Sequence, residues 1–563
     1  MSVSAAPDWR RRFAVAVLVI LSVLPVVYVG SEAVSASRNF PFFDEIDSAV
    51  DFVLKLGSTE HWRDAAGQFF ALSNEHRMLT SRAMFAACYW LTGTLNFHVI
   101  GALGNLFIVA ACLLLIGSAK FLEARVRMGV VLAFLIFQLE HYENFIWSGA
   151  SIDHFQVVML AVASIVLLTR GTSASTLGAG TCAALATFTL VHGALVWPLG
   201  AASLAHQRRW KPLLGWCVGA AIVLSGFFWG FAFNPGHHVE LTLGTVPEVM
   251  YFWLQLIGAP LLLGNRAAGA VPGFLLLVAL GLLVRRGALN RHPVQILVAC
   301  FGAGSLILVA VGRLHIDEHA IASRYLILGA LSWAMLIHVL LEETATQQHP
   351  FRWLAWMLPA LVAFDVTAAF MFQVPKEAFI EVRDRAATYY QQYGRAGTGI
   401  SRMHPDPARA EQVLAAAGAC GVFRLPNVSP QVHLEDPRPS TRIITHVDEL
   451  VVGERAVTIG GWAMVRGETS KRGHVFVVLK SENGFRTYRA LTLQRPDVAR
   501  AYREPRWRLC GFRAVLARDQ LPSGNFHVGV VVDEPGGPEY VMTEDVLSLS
   551  PRSKAHERLA TQP

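Results

Sequence analysis

Charged residues are scarce in this chain. Asp, Glu, Lys and Arg make up 16% of its 563 residues, whereas hydrophobic residues make up 53%. A soluble globular protein carries about 25% charged residues, so the composition excludes an ordinary soluble protein. Because the long apolar runs end near residue 372, we expect a polytopic α-helical membrane domain followed by a polar C-terminal part.

Cysteine is also rare, and no pair shows the CxxC spacing that is typical of zinc sites. Cys420 and Cys510 lie in the polar C-terminal part and could pair if that part faces an oxidising compartment. The remaining cysteines lie in or beside apolar segments, where we expect them to pack as small apolar side chains: Cys88, Cys112, Cys182, Cys217 and Cys300.

About eleven segments are apolar enough to cross a bilayer, whose core needs about 20 residues per helix. The first of them follows three arginines without a cleavage site, which predicts a retained signal anchor. Two of them meet at His192 and include Pro198, which predicts a broken helical hairpin. The expected spans are 13–30, 98–118, 128–147, 155–169, 175–191, 193–206, 213–233, 270–286, 293–312, 322–342 and 352–372.

Basic loops at 10–12, 120–127, 207–211 and 285–291 predict which side faces the cytoplasm. With these loops inside, the spans alternate only if 78–95 and 246–264 lie on the membrane surface. The N-terminus is then cytoplasmic and the C-terminal part extracytoplasmic. Since its arginines orient the spans, the net charge of +7 does not indicate a nucleic-acid partner.

We expect the chain to divide into a membrane domain at 1–374, with a first extracytoplasmic loop at 31–97, and a C-terminal part. Residues 375–430 read as a helical linker region. About seven short strands between turns predict an all-β antiparallel sandwich at 431–550. Residues 551–563 are predicted to be a disordered tail.

Ionisable residues gather on the predicted outer side, in four segments that are distant in sequence. Mid-span charges, which a transporter would place near the midplane, are nearly absent. A polar cavity open to the outer face fits this pattern, with carboxylates available as bases and arginines available for phosphate. The candidates are Asp44, Glu45, Asp47, Asn74, Glu75, His76, Arg77, Arg82, Glu140, His141, Glu143, Asp153, His154, His192, Arg313, His315, Asp317, Glu318, His319, Arg324 and Tyr325.

Each group also has a purely structural interpretation. The first-loop acids could form the solvent-exposed face of an amphipathic surface helix. Residues 75–77 could form a cluster of capping and salt-bridge residues at the start of a helix. His192 could be a satisfied group at a kink, Glu140 and His141 could be interfacial, and Arg324 could snorkel.

Four short motifs resemble the GT-C glycosyltransferases of bacterial membranes. They are Phe43-Asp44-Glu45 after the first span, NEHR at 74–77, the proline-containing hairpin at 175–206, and SRY at 323–325. The C-terminal part is similar to β-sandwich domains appended to some of these enzymes, through GGWAM at 460–464, RPDVARAY at 495–502 and GF at 511–512.

The resemblance implies an inverting enzyme of the bacterial inner membrane that takes sugar from a polyprenyl-phosphate donor. Asp44, with Glu45 as the alternative, would deprotonate a glycan or lipid acceptor. Arg77, Arg313 and Arg324 would balance the phosphate charge. A divalent cation, Mg²⁺ or Mn²⁺, stays open as a cofactor. The residues expected to bind substrate or phosphate are Glu75, His76, Arg77, Glu140, His141, Glu143, His192, Arg313, Arg324 and Tyr325.

Two functions from other classes remain open. One is a transporter or flippase of a lipid-linked or anionic solute. The other is a glycan-binding membrane scaffold, in which Trp507 and Trp462 are candidates for stacking on sugar, although core packing is the favoured role of Trp462. A polymerase or ligase of the glycan also stays open.

Overall fold

The protein folds into two compact units, one mainly helical and one built from β-sheets. The first unit comprises Met1–Glu381 with Ala419–Phe423, and the second comprises Val382–Gly418 with Arg424–Pro563. The computed structural model describes residues 8–231, 242–314, 322–345, 350–393, 403–423, 429, 431–432, 434, 437–453, 456–466, 474–482, 484–518, 520–534 and 537–550. The predicted tail at 551–563 lies outside the described residues.

Helices make up the first unit, and short 3₁₀ or π turns join several of them. In chain order its helices are α1 Asp8–Ala36, α2 Phe52–Gly57, α3 Trp62–Phe70, α4 Leu79–Thr92, α5 Phe97–Ser118, α6 Leu122–Ile136, α7 Tyr142–Ile146, α8 Ser148–Ala150, α9 Gln156–Thr169, α10 Ser173–Thr189, α11 Val196–His206, α12 Trp210–Phe228, α13 Val246–Gly258, α14 Arg266–Arg285, α15 Ala288–Arg291, α16 Pro293–Arg313, α17 Ser323–Thr344 and α18 Arg352–Met371. Helix α19, Gln373–Tyr393, begins in the first unit and ends in the second, and α20, Pro407–Ala419, belongs to the second unit except for its last residue.

Within the described part of the chain, eight helical segments are long and apolar enough to cross a membrane. These segments indicate a multi-pass membrane protein, although they are fewer than the eleven spans expected. They are Arg11–Ala36, Phe97–Ser118, Ser148–Thr169, Trp210–Phe228, Arg266–Arg285, Pro293–Arg313, Ser323–Thr344 and Arg352–Ala387.

Three of the expected spans are shorter or broken in the structure. The span expected at 128–147 is interrupted, because α6 ends at Ile136 and a 3₁₀ turn at Leu139–His141 follows. The pair expected at 175–191 and 193–206 is α10 and α11, joined by a 3₁₀ turn at Val191–Leu195. Gly193 allows this turn, since a Cβ there would lie 2.1 Å from the carbonyl oxygen of Ala186.

The segments expected on the membrane surface are both short helices. Residues 78–95 contain α4, and residues 246–264 contain α13, extended by a 3₁₀ turn to Leu262. The apolar helix Val246–Leu262 falls below the length of the eight candidate spans.

The most buried helical segments form the centre of the membrane unit. The apolar windows of Ser148–Thr169, α16 and α17 are 67%, 67% and 78% buried, whereas those of α1 and α12 are 17% and 11% buried. Helices α1 and α12 therefore present most of their apolar surface outward, as lipid-facing helices do. The facing ends of α16 and α17 carry Arg313 and Arg324.

The second unit contains two β-sheets, as the strand-rich sequence predicts. The strands are β1 Gln431–Val432, β2 Arg438–Pro439, β3 Ile443–Val452, β4 Ala456–Val465, β5 His474–Ser481, β6 Gly484–Arg489, β7 Leu491–Leu493, β8 Gly511–Ala517, β9 Gly524–Glu534 and β10 Gly537–Leu549. One sheet has the order β1-β6-β5-β9-β10-β2 and the other β3-β4-β8-β7, and the short helix α21, Pro496–Ala501, lies between β7 and β8.

The two sheets share one apolar core. Val457 and Ile459 of β4 belong to the same buried cluster as Val477 of β5 and Val530 of β9. Successive residues of a strand point to opposite faces, so the other face of β4 carries Trp462 and Met464.

The pairing that the sequence left open for Cys420 and Cys510 is not made in the structure. Both carry free thiols, Cys420 exposed and Cys510 buried. Burial raises the pKa of the Cys510 thiol to about 11.

Candidate functional site

A cavity of about 340 Å³ lies in the membrane unit, among segments that are distant in sequence. We call it the polar cavity, because nine of the ionisable residues singled out above line it. Its polar lining consists of Asp44, Ser73, Asn74, Glu75, His76, Asp153, His154, His192, Arg313, Arg324 and Tyr325. Of the predicted site residues, the structure therefore brings together Asp44, Glu75, His76, His192, Arg313, Arg324 and Tyr325.

The adjacent acids Asp44 and Glu45 have different surroundings. Phe43 adopts a left-handed backbone with φ 50°, uncommon for a residue with a side chain. After this turn Asp44 lines the polar cavity, whereas Glu45 is 1% exposed. The Glu45 carboxylate accepts hydrogen bonds from the N–H groups of Phe42, at 2.8 Å, and Gly149, at 2.6 Å, and from the Ser148 hydroxyl. Glu45 thus ties the first loop to the start of α8.

His76 reaches the cavity from a tight turn in the first loop. Asn74 has φ 50°, and the backbones of Ser73 and His76 bond to each other. The Nδ1 atom of His76 accepts a hydrogen bond from Val191 N–H at 3.3 Å, which joins the turn to the broken hairpin. Burial, helped by the charge of Arg313, lowers the pKa of His76 from 6.5 to about 4, so the imidazole is neutral at pH 7.

Three of the residues that line the polar cavity carry buried polar atoms without hydrogen-bond partners among the described residues. His154 and His192 lie with ring centroids 6.4 Å apart, and His192 is 5% exposed. Within the described residues, His154 Nδ1, His192 Nε2 and Glu75 Oε1 have no hydrogen-bond partner. Because nearly all buried polar groups in proteins are paired, these atoms point to a polar ligand.

Two arginines line the cavity at the ends of α16 and α17. Arg324 forms an ion pair with Glu143, Nη1 to Oε2 at 3.2 Å, and its guanidinium lies 4.9 Å from the ring centre of Tyr325. The Arg313 guanidinium lies 6.0 Å from the same ring, and no described carboxylate pairs with it. Arg313 therefore carries the less neutralised of the two charges.

Three predicted residues on α7 and the turn before it do not line the cavity. Glu143 accepts hydrogen bonds from Arg324 and so joins α7 to α17. Glu140 is 1% exposed, and its carbonyl oxygen accepts a hydrogen bond from the Ser323 hydroxyl at 2.6 Å. His141 is also buried, with Nε2 3.2 Å from the carbonyl oxygen of Leu135.

Arg77 does not line the cavity either. Its guanidinium donates to the carbonyl oxygens of Phe227, at 3.0 Å, of Phe70 and of Trp229. The side chain thus joins the first loop to the end of α12, where helix carbonyls lack intrahelical partners. Arg82 likewise donates to carbonyl oxygens of this loop, and burial lowers its pKa to about 10, which leaves it charged at pH 7.

Asp153 and His154 belong to the cavity, although sequence reasoning left them out of the predicted binding set. Both lie in the π turn Ser151–Phe155 that begins α9, and such turns are frequent at functional sites. The Ser81 hydroxyl donates to Asp153 Oδ1, and Asp153 interacts electrostatically with Asp44 and Arg82. The signal in the sequence was a pair of ionisable residues opening an apolar helix.

Apolar side chains from α12, the segment after it and α16 form another wall of the cavity. Phe228, Phe231, Leu308 and Val309 contribute to it. The remaining candidates, His315, Asp317, Glu318 and His319, lie outside the described residues. In the part of the chain that is described, no group of three His, Cys, Asp or Glu side chains is placed to hold a metal ion.

Comparisons with family models, curated proteins and solved structures gave no match for this chain. A functional assignment therefore has to rest on the chemistry of the polar cavity.

Proposed function

We propose that this protein is an inverting membrane glycosyltransferase of the GT-C type. It would move a sugar from a polyprenyl-phosphate donor to a glycan or lipid acceptor on the outer face of the bacterial inner membrane. The observation that carries the proposal is the polar cavity, in which acids, histidines and arginines from separate segments meet beside an apolar wall.

In this proposal the shorter helices α6, α10 and α11 complete a bundle of about eleven crossings. The basic loops place the N-terminus in the cytoplasm and the polar cavity on the outer side. The two sheets of the C-terminal unit form an extracytoplasmic β-sandwich.

Asp44 is the proposed general base. The carboxylate of Glu45 accepts three hydrogen bonds and is buried away from the cavity lining, whereas Asp44 lines it. Asp44 would take the proton from an acceptor hydroxyl as its oxygen attacks the anomeric carbon from the side opposite the phosphate. The bond from that carbon to the phosphate oxygen breaks, and its electron pair leaves with polyprenyl phosphate. The proton then passes from Asp44 to water.

Positive charge must offset the phosphate that leaves. Arg313 and Arg324 both line the cavity, and Arg324 is partly neutralised by Glu143. Arg313 is therefore the stronger candidate for stabilising charge that grows in the transition state. Arg77, whose guanidinium is engaged by backbone carbonyls, would act by holding the loop instead.

Apolar side chains and two imidazoles complete the proposed substrate site. Phe228, Phe231 and Leu308 offer a surface for the first isoprene units of the donor. The unpartnered nitrogens of His154 and His192 offer hydrogen bonds to sugar hydroxyls.

The test compares envelope glycans and lipids, by mass spectrometry, from cells with and without this protein. Loss of one sugar residue from a defined glycan, with accumulation of its lipid-phosphate donor, supports the proposal. Purified protein in nanodiscs should then form the same linkage from that donor. Movement of an unchanged lipid-linked sugar across the bilayer, without a new glycosidic bond, would instead establish the flippase alternative.

A further inference from the structure

Three motifs of the C-terminal unit converge on one face of its four-stranded sheet. They are GGWAM at 460–464, RPDVARAY at 495–502 and GF at 511–512. Strand β4 turns Val457 and Ile459 into the shared core, so Trp462 and Met464 lie on the opposite face. That face is covered by the segment between β7 and β8, through contacts with Val498 and Trp507.

A β-bulge shapes the edge of this face. The pairing of β3 with β4 shifts between Val447 and Glu449, which leaves Asp448 as the extra residue. A Cβ at Gly461 would lie 2.0 Å from the carbonyl oxygen of His446, so the bulge requires glycine on the facing strand. The second glycine of GGWAM thus allows the bulge that presents Asp448.

Asp448 holds the covering segment through Arg495. The Arg495 guanidinium pairs with Asp448 and with Asp497, the latter at 2.7 Å. These bonds raise the pKa of Arg495 and lower the pKa of Asp497. Gly511 is needed beneath this arginine, because a Cβ there would lie 2.7 Å from Arg495 Cγ. All three motifs therefore help to hold α21, and the residues between α21 and β8, against this face of the four-stranded sheet.

The result is a row of aromatic rings across the face. The centroids of His446 and Trp462 are 6.3 Å apart, those of Trp462 and Tyr502 are 5.6 Å apart, and those of Tyr502 and Trp507 are 5.4 Å apart. Tyr502 is 45% exposed, and its two tryptophan neighbours are partly exposed. Cys510 and Met464 are buried beneath this row.

The segment that carries the row is strongly basic. Residues 495–508 include five arginines and two acids. Arg495 and Arg506 pair with neighbouring carboxylates. Arg500, Arg503 and Arg508 have no carboxylate partner among the residues that the structure describes. Unpaired guanidinium groups therefore flank Tyr502 along the chain.

We propose that this surface, formed by His446, Trp462, Tyr502, Trp507 and the arginines 500, 503 and 508, binds an acidic saccharide. Aromatic faces accept the C–H surface of a sugar ring, and guanidinium groups bind carboxylates in a planar, bidentate manner. A neutral sugar would use the rings alone, so the arginines specify a ligand rich in uronate. The inference does not rest on the transfer reaction proposed for the polar cavity.

The test uses the full chain in nanodiscs of zwitterionic lipid. Trigalacturonate and maltotriose, which have equal numbers of sugar rings, are titrated by calorimetry. We expect trigalacturonate to bind at least about tenfold more tightly, with an affinity that falls as salt rises. Equal affinity for the two, or binding of neither, would overturn the proposal.

Variants locate the site. We expect Tyr502→Ala to weaken trigalacturonate binding about tenfold or more, and Arg500→Gln with Arg508→Gln to remove the preference for the acidic ligand. Phe485→Ala is the matched aromatic control, because Phe485 is 44% exposed and packs edge to face against Tyr540 in the other sheet. Arg489→Gln, an exposed arginine of β6, is the charge control.

If the control variants lose as much affinity for trigalacturonate as the surface variants, the assignment of the site is wrong. If the surface binds anionic lipid and does not bind trigalacturonate, it is a membrane-docking surface and the proposal is wrong. Circular dichroism of each variant separates lost binding from lost folding.

Discussion

Asp44 and Glu45 show how neighbouring acids acquire different tasks. The left-handed turn at Phe43 directs one carboxylate into the polar cavity and leaves the other against the start of α8. A base must remain accessible to its substrate, whereas a buried carboxylate with three donors holds the backbone in place. Substitution of Asp44 should therefore affect activity, whereas substitution of Glu45 should affect stability.

We expect Asp44→Asn to lower kcat for glycosyl transfer by about 10²–10⁴-fold while thermal stability stays unchanged, because only proton transfer is lost. Glu45→Ala should instead lower stability by about 2 kcal/mol or more, because buried donors lose their acceptor. Glu60→Gln, an exposed acid of the same loop, is the control for both measurements. Normal transfer in Asp44→Asn and in Glu45→Gln would refute the catalytic assignment.

The arginines divide in a similar way. Arg77 donates to carbonyl oxygens, so Arg77→Gln should lower the unfolding temperature in nanodiscs. Arg313→Gln should leave that temperature unchanged and lower kcat about 10²-fold, because Arg313 faces the cavity and offsets the charge of the leaving phosphate. Full activity in Arg313→Gln would remove Arg313 from the proposed mechanism.

His76 gives a pH dependence of stability. The folded protein protonates this residue near pH 4, whereas the unfolded chain does so near pH 6.5. Its contribution is therefore complete at neutral pH and declines as the pH falls from 6.5 toward 4, because the unfolded state takes up the proton first. We expect the unfolding temperature of His76→Gln to fall less steeply over this range than that of the unaltered protein. His61→Gln, in an exposed part of the same loop, should retain the original slope.

At the scale of elements, breaks in the apolar helices position the site. The 3₁₀ turn between α10 and α11 presents His192, and the π turn that begins α9 presents His154. In a continuous helix the side chains project around a cylinder at regular angles. The imidazoles of His154 and His192 lie next to each other because regular α-helix is interrupted at both residues. The sequence predicted the break between α10 and α11, through His192-Gly193 and Pro198, but it did not predict the π turn that begins α9.

Gly193→Ala should disrupt the hairpin. The added Cβ would meet the backbone of Ala186, which cannot move as a flexible side chain would. We expect a loss of about 2 kcal/mol or more in stability, with weakened binding of the donor at the polar cavity. Gly180→Ala on α10 is the matched control, since nothing lies within 4 Å of a Cβ there. Equal stability of the two variants would show that the turn can relax.

At the scale of the whole molecule, burial is uneven across the membrane unit. The central helices α16 and α17 end at the two cavity arginines, while α1 and α12 remain largely uncovered. An assembly in which the central helices are buried in protein and the outer ones face lipid can hold a polar site without exposing charge to the bilayer.

The predicted orientation can be tested by labelling intact cells with a membrane-impermeant maleimide. Glu60→Cys in the first loop should react from outside, whereas Lys211→Cys, at the start of α12 and in the basic segment 207–211, should react only after lysis, since positive segments remain inside. The exposed native thiols Cys217 and Cys420 are first replaced by serine. Reaction of both positions from outside would invalidate the proposed topology.

Composition and periodicity by themselves determined that this chain is a membrane protein with a strand-rich C-terminal part. They also singled out most of the polar lining, because ionisable residues beside apolar runs stand out in a sequence. Tertiary structure alone decided which of these side chains meet: Asp44 but not Glu45, Arg313 but not Arg77, and Asp153 with His154 beside His192. The physical reason is that a side chain's direction depends on a single backbone turn, such as the one at Phe43, and on carbonyl groups that distant helices leave unpaired.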